Sequence, residues 1–238
     1  MTSEDVLLAF FSRSFEKPLN DRMLDNDFVF SKQVVLDYID SLCNIPFKEF
    51  FDYCASVGVN RDYSSFNITQ ISSFQDCTVN LCKLLSEEGD PGLSAAEMGR
   101  VLTAGDAKVR DLGALTKYGE NHSKAAYQLG LVQVLFDTWY LSCYGKVFCD
   151  LEAEVQQHFM ARALIRDPFY QTILFDRLQE DVNLMTYTSC LKFSTQLRRS
   201  PSVKWLMSIC DKECGAEGIT LHSIKYIKAA DKPTLSEG

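Results

Sequence analysis

Apolar residues recur every three or four positions through most of this 238-residue chain, and this spacing places them on one face of an α-helix. One such segment, ended by Pro46, carries apolar side chains at Val34, Leu36, Ile39 and Leu42. Another begins at Thr2, and Asp5 stands three residues later as in a capping box. The pattern predicts a mainly α fold in which residues 1–90 form a helical N-terminal domain.

The acidic side chains are concentrated in this N-terminal domain. Residues 1–90 carry 15 acidic and 7 basic side chains, whereas residues 91–238 carry 17 of each, so the net charge of −8 arises before residue 91. A polyanion would therefore meet the later segments, where it is not repelled. The acidic domain is a candidate surface for a protein partner.

Composition indicates a globular protein, since 46% of the residues are hydrophobic and 24% are charged. No apolar run approaches the roughly 18 uncharged residues that a membrane span requires. Acids stand near the N-terminus, where a signal peptide would carry basic residues. We therefore expect a cytoplasmic protein with no membrane partner.

The nine cysteines form no Cys-x-x-Cys pair, and most lie in apolar periodic segments. We expect reduced thiols in the core, where a cysteine behaves as a small hydrophobe. Cys210 and Cys214 with His222 come nearest to a ligand set, but their spacing is not that of a structural zinc site. We expect no metal and no cofactor.

Signatures of catalysis are missing from the sequence. It has no phosphate-binding glycine loop, no His-Glu-x-x-His and no Gly-x-Ser-x-Gly motif. Asp176, Glu180 and Asp181 lie in a helical pattern, and the only histidines are at positions 122, 158 and 222. We therefore predict that the protein is not an enzyme.

The segment after Asp90-Pro91-Gly92, which predicts a domain boundary, has a characteristic order of elements. Ser94 and Glu97 form a capping box, a turn with Gly105 and Asp106 leads into further helical segments, and Gly130 ends the last of them. Two short β-type segments, QVLF and TWYLS, follow. The order is helix, turn, helix and hairpin.

This order resembles the winged helix-turn-helix superfamily. The matching motifs are A-x-x-L-G-L-V at residues 126–132 and Y-L-S-x-x-G-x-x-F at residues 140–148. The resemblance implies that residues 91–165 form a first winged-helix module with a connecting helix. The helix around residues 120–129 would be its recognition helix, and a β-hairpin would follow.

Residues 166–238 repeat the order and resemble a second winged-helix module. A break near Asp167-Pro168 precedes it, Ser200-Pro201-Ser202 would open its second helix around residues 202–213, and β-type alternation follows. The segment STQLRRSPSVKW at residues 194–205 is similar to the DNA-binding modules of bacterial restriction and defence proteins. The predicted fold is therefore a helical N-terminal domain followed by tandem winged helix-turn-helix modules with short β-hairpins.

The second module carries a basic stretch, because no acid lies between Asp181 and Asp211. Its candidate contacts to a DNA backbone are two serine hydroxyls and four cations, namely Ser200, Ser202, Lys192, Arg198, Arg199 and Lys204. Two alternatives remain open at this point. The stretch is a solvated basic face, or it pairs with the acidic N-terminal domain.

The first module offers side chains that can hydrogen-bond to base edges in a major groove, namely Asn121, His122, Ser123, Lys124 and Gln128. An ordinary exposed helix face is the alternative, because one lysine attracts DNA only weakly.

The leading functional hypothesis is a DNA-binding protein that acts on double-stranded DNA as a repressor or as the targeting subunit of a bacterial antiviral-defence or DNA-processing assembly. The other is a protein–protein interaction adaptor or scaffold built on winged-helix modules. Either could be an oligomer.

Overall fold

The computed structural model describes residues 2–16, 32–87, 92–104 and 111–226. Within these ranges the chain is mainly helical with two small sheets, so the predicted mainly α class is confirmed. No helix in these ranges is both long enough and apolar enough to cross a membrane. The predicted turn at Gly105 and Asp106 and the predicted boundary at Asp90 and Pro91 lie outside the described residues.

The N-terminal part is helical, as predicted. Its helices in the described residues are α1 (Ser3–Phe11), α2 (Lys32–Cys43), α3 (Phe47–Val57) and α4 (Val79–Glu87), with a 3-10 turn at Gln75–Cys77. The capping box at Thr2 and Asp5 is present at the start of α1. Gly58, with a φ of 95°, ends α3 because this left-handed backbone suits glycine. A long irregular segment, residues 58–74, connects α3 to the 3-10 turn.

The middle part contains a three-stranded antiparallel sheet. Its elements are β1 (Leu93–Ser94), α5 (Ala95–Leu102), α6 (Leu112–Gln128), β2 (Val132–Leu135) and β3 (Thr138–Leu141), and the strand order is β1-β3-β2. The helix around residues 120–129 is followed by a β-hairpin, as predicted. The further helical segments predicted before Gly130 form one helix, because Gly119 packs against α5 instead of ending a helix.

The C-terminal part contains α7 (Cys143–Phe148), α8 (Ala153–Arg166), α9 (Pro168–Arg177), β4 (Val182–Asn183), α10 (Leu184–Tyr187), α11 (Phe193–Ala216) and β5 (Ile224–Lys225). The break before Pro168 is confirmed. Asp167 caps α9 by accepting a 3.0 Å hydrogen bond from the Phe169 amide, which fits a proline in the first turn.

Two expectations for the second module are wrong. No helix opens at Ser200, because α11 continues through Pro201, which lies on its exposed side where water can replace the missing hydrogen bond. No hairpin follows α11 in the described residues. The short strand β5 instead pairs in parallel with β4, with Val182 opposite Ile224.

One hydrophobic core joins buried side chains from all three predicted domains. The Phe10 ring lies 6.1 Å from Phe50 and 6.4 Å from Phe159, centroid to centroid. A polar contact also links the N-terminal and C-terminal parts, because the Glu217 carboxylate accepts hydrogen bonds from the amides of Phe47 and Lys48 at the start of α3. The division into three domains stays a prediction, and the core is continuous across its borders.

Candidate nucleic-acid interface

Two of the predicted basic residues, Arg198 and Lys204, are exposed on one side of α11, and Lys192 is exposed at its N-cap. Within the described ranges none of these three cations forms an ion pair. Arg198 makes only a long hydrogen bond of 3.4 Å to the Thr195 hydroxyl. The Lys204 ammonium lies 5.8 Å from the Tyr226 ring centroid. These charges are therefore available to an anionic ligand.

An apolar stripe runs between the cations. Phe193, Leu197, Pro201 and Trp205 follow one another at every fourth position, and the phenylalanine, leucine and tryptophan are 51%, 37% and 42% exposed. Because successive residues of an α-helix are rotated by about 100° around its axis, Arg198 and Lys204 lie on opposite edges of this stripe. We call the surface formed by Lys192, Phe193, Leu197, Arg198, Pro201, Lys204 and Trp205 the α11 face. It presents aromatic and basic groups over about 18 Å.

The neighbouring Arg199 faces the other way. Its guanidinium donates hydrogen bonds to the carbonyl oxygens of Ser65, at 2.9 Å, and of Ile68. Burial and the charge of Arg198 lower the pKa of Arg199. Arg199 therefore holds the irregular segment 58–74 against α11 through two hydrogen bonds of its Nη1 atom.

Ser200 and Ser202 were predicted to contact a DNA backbone, and the structure corrects this prediction because both are 4% exposed. The Ser200 hydroxyl donates to the Gln196 carbonyl at 2.6 Å. The Ser202 hydroxyl donates to the Ile71 carbonyl at 3.1 Å and accepts the Ile71 amide hydrogen at 3.0 Å. These serines therefore hydrogen-bond to backbone groups of α11 and of the irregular segment 58–74.

The predicted base-reading residues His122 and Ser123 on α6 are also buried, at 1% and 0% exposure. The Nε2 atom of His122 accepts hydrogen bonds from the amides of Ser72 and Ser73, at 3.3 and 3.4 Å. Its Nδ1 therefore carries the proton and donates to the Tyr118 carbonyl at 2.8 Å. The Ser123 hydroxyl contacts the Met98 sulfur at 3.4 Å. Neither side chain can reach a base.

Gln128 lies in a buried polar network at 1% exposure. Its amide donates to the Asp167 carboxylate at 3.2 Å, and its carbonyl oxygen accepts from the Thr69 hydroxyl at 3.0 Å. Burial raises the pKa of Asp167 even though Asn67 and Gln128 hydrogen-bond to it. Gln128 thus fastens the irregular segment to the start of α9.

Only two of the five predicted α6 residues, Asn121 and Lys124, keep partial exposure. The Lys124 ammonium pairs with Glu120 and lies 5.2 Å from the Phe66 ring centroid. Its charge is therefore largely balanced within the chain. The C-terminal half of α6 is a packing helix covered by segment 58–74, whereas the α11 face is open.

The sequence did not predict that the irregular segment 58–74 covers α6 and α11. Residues 60–71 are the segment of the predicted helical N-terminal domain for which the sequence indicates no definite element. In the structure, backbone groups of Asn67, Ile71 and Ser72 receive polar side chains from α6 and α11. The polar side chains on these two helices were the sequence feature that indicated it, because a loop can supply their hydrogen-bond partners as well as a ligand can.

The carboxylates considered for catalysis do not converge. Asp176 accepts hydrogen bonds from Arg61 at 2.8 Å and from the Tyr187 hydroxyl at 2.7 Å. Asp181, beyond the end of α9, pairs instead with Lys225 at 2.6 Å. In the part of the chain that the structure describes, no three histidine, cysteine or acidic side chains are grouped so as to hold a metal ion.

Comparison of the chain with known protein families, with curated proteins and with solved structures gives no significant match.

Proposed function

We propose that the protein binds double-stranded DNA through the α11 face and is not an enzyme. The observation that carries the proposal is a set of three exposed cations without an ion pair in the described residues, namely Lys192, Arg198 and Lys204. They lie in a stretch of sequence that has no acidic residue between Asp181 and Asp211. Each cation that neutralises a phosphate releases condensed counterions, which favours binding. The acidic excess of the chain belongs to residues 1–90, so it opposes this contact less than the net charge suggests.

The arrangement of elements supports a winged-helix assignment of the middle part. The order α4, β1, α5, α6 and the β2-β3 hairpin, with strand order β1-β3-β2, is similar to a winged helix-turn-helix module. The order α9, β4, α10, α11 and β5 is similar to it as well, with a single strand in place of a hairpin. We propose a complete winged module followed by a reduced one.

In this proposal α11 is the helix that enters the major groove, which is wide enough to admit an α-helix. Arg198 and Lys204 contact phosphates on the two sides of the groove, because they lie on opposite edges of the apolar stripe. Phe193, Leu197 and Trp205 contact sugars and thymine methyl groups. A repressor or a targeting subunit of a bacterial defence or DNA-processing assembly would use the site in this way, in line with the similarity of residues 194–205 to such modules.

A protein–protein adaptor is the second candidate, and the exposed stripe favours it. Phe193, Leu197 and Trp205 are apolar side chains that a protein partner could cover. The two candidates differ in salt dependence, because phosphate contacts weaken steeply with salt and apolar contacts do not.

The test is a fluorescence-anisotropy titration of a mixed-sequence duplex of about 25 base pairs over a salt series. Arg198→Ala/Lys204→Ala removes two phosphate contacts, so the slope of log K against log salt should flatten by about 1.8. Lys83→Ala/Lys146→Ala, which removes two exposed lysines on α4 and α7, should leave the slope unchanged. Absence of duplex binding by the wild-type protein at low salt would reject the DNA proposal in favour of the adaptor.

A further inference from the structure

The tip of the β2-β3 hairpin carries the most exposed large apolar side chain among the described residues. Phe136 is 93% exposed. It forms a two-residue turn with Asp137, and both have positive φ angles, 49° and 61°. Such turns favour Asn-Gly, because a bulky side chain rarely adopts a positive φ. Phe136 therefore projects into solvent from a backbone that does not favour it.

An apolar groove of about 530 Å³ lies directly beside this tip. Its walls include Phe66, Ala95, Ala96, Val134 and Trp139. The groove is more than large enough for a phenyl ring, since cavities near 150 Å³ bind benzene. A projecting apolar side chain and an apolar groove thus stand next to each other on one surface.

We propose that this surface is a two-fold interface between two copies of the chain, in which Phe136 of each copy inserts into the groove of the other. A two-fold interface uses the same patch on both subunits, so it requires a patch that carries both a knob and a hole. Phe136 and the groove provide the knob and the hole. The proposal is independent of the α11 face.

The charges around the groove do not suit DNA. Asp137 and Glu120 both line the groove and would repel phosphates. Lys124, which also lines the groove, already pairs with Glu120, so it leaves the negative charge of Asp137 unbalanced. A small aromatic ligand could occupy the groove, but it would leave Phe136 exposed. A second copy covers both surfaces.

Leu112 extends the apolar part of the patch. It is 61% exposed and lies one helical turn before Thr116, a groove residue on the same side of α6. Val134, 38% exposed, continues the groove wall onto the hairpin. The inserted ring would therefore be surrounded by contacts that exclude water, as interface anchors generally are.

Sedimentation-velocity measurements on the full chain over a concentration series test the proposal. The wild-type protein should form a dimer, and Phe136→Ala should raise its dissociation constant by about 30-fold for each of the two strong anchors that the dimer loses, or roughly 900-fold in all. Phe136→Asp should act at least as strongly, and it is compatible with folding because aspartate accepts positive φ in turns. Leu8→Ala, which removes a 59% exposed leucine on α1, should leave the dimer intact.

A complementation experiment tests the reciprocal geometry. Ala96→Phe fills the groove and should also give monomers. Mixing it with Phe136→Ala should give a heterodimer with one of the two insertions, because the first variant still supplies a phenyl ring and the second still supplies an open groove, and it should be about 30-fold weaker than the wild-type dimer. A monomeric wild-type protein at about 100 µM, well above the dissociation constants of specific complexes, or a Phe136→Asp variant that dimerises like wild type, would overturn the proposal.

Discussion

Gly99 on α5 and Gly119 on α6 face each other where the two helices cross, and neither position has room for a methyl group. A Cβ atom on Gly99 would lie 2.7 Å from the carbonyl carbon of Leu115, and one on Gly119 would lie 2.9 Å from the Gly99 nitrogen. The two backbones are therefore in direct contact. This contact fixes the position of α6, and with it the hairpin that carries Phe136.

Replacing either glycine should destabilise the protein. Gly99→Ala or Gly119→Ala places a methyl group against backbone atoms that cannot move aside, so we expect a loss of about 1–3 kcal/mol, or more, in the free energy of unfolding. Gly215→Ala in α11 is the matched control, because nothing lies within 4 Å of its Cβ position. It should stabilise the protein by about 0.5–1 kcal/mol. Urea denaturation measures both, and an unchanged midpoint for Gly99→Ala would show that α5 and α6 pack differently.

Arg162 should contribute far more to stability than an exposed arginine. It is 2% exposed and donates hydrogen bonds to the carbonyls of Leu42, Cys43 and Ile45 at the end of α2, and to Glu213. Arg162→Met leaves the Cys43 and Ile45 carbonyls without their side-chain donor and removes the buried cation that faces Glu213, so we expect a loss of about 3–5 kcal/mol.

Arg61→Met is the control for Arg162, because the Arg61 side chain is 53% exposed in its ion pair with Asp176. It should cost less than about 1 kcal/mol. Thermal unfolding followed by circular dichroism distinguishes the two variants. Equal losses would mean that the buried carbonyls find other donors.

Arg198 and Arg199 are adjacent in sequence but should have separable effects. Arg198→Ala should leave stability unchanged and flatten the salt slope of duplex binding by about 0.9. Arg199→Ala should lower stability by about 1–3 kcal/mol, because the carbonyls of Ser65 and Ile68 lose their donor. Urea denaturation measures the stability of the two variants, and fluorescence anisotropy on the same preparations measures the salt slope of their duplex binding. The opposite assignment, with stability depending on Arg198, would contradict the orientation of α11.

Cys149 should react with electrophiles at lower pH than an ordinary thiol. A hydrogen bond from Cys82 stabilises its thiolate and lowers the pKa of Cys149 to about 7. Because the thiolate is the reactive form, its fraction rises as pH rises through 7, and alkylation should reach half its maximal rate there. Burial raises the pKa of Cys43, the other half-buried cysteine, to about 11, so it should stay unreactive.

The measurement is mass-spectrometric alkylation in a Cys190→Ser background, which removes the exposed cysteine. Cys82→Ala deletes the hydrogen-bond donor, so the pKa of Cys149 should rise and its rate at pH 7 should fall by at least about tenfold. A pH profile that Cys82→Ala leaves unchanged would show that the two thiols do not interact.

Local signals account for what the sequence predicted correctly. The capping box at Thr2, the end of α3 at Gly58 and the break before Pro168 each depend on residues within a few positions of one another. Such signals act in the same way in any tertiary context. The hairpin after α6 is also local, since it follows from β-type alternation on both sides of a tight turn.

The candidate site could be predicted only in part, because burial is decided by distant residues. Ser202 and His122 have the polarity of ligand-binding groups, but residues 71–73, far from both in sequence, cover them. No periodicity in residues 58–74 indicates where that segment packs. The helix start predicted at Ser200-Pro201-Ser202 was wrong for a related reason. Pro201 lies inside the long helix α11, on its exposed side, so it does not mark the beginning of a helix.

The contact of Glu217 with the start of α3 joins residues 170 positions apart, so it can form only after nearly the whole chain has been made. During synthesis the N-terminal helices leave the ribosome first, but the amides of Phe47 and Lys48 must wait for a partner that is made near the end. Chains with such distant contacts fold slowly, since a large loop must close before the contact forms. Nascent chains stopped before residue 217 should therefore be sensitive to proteases and dependent on chaperones, even though most of the helices already exist.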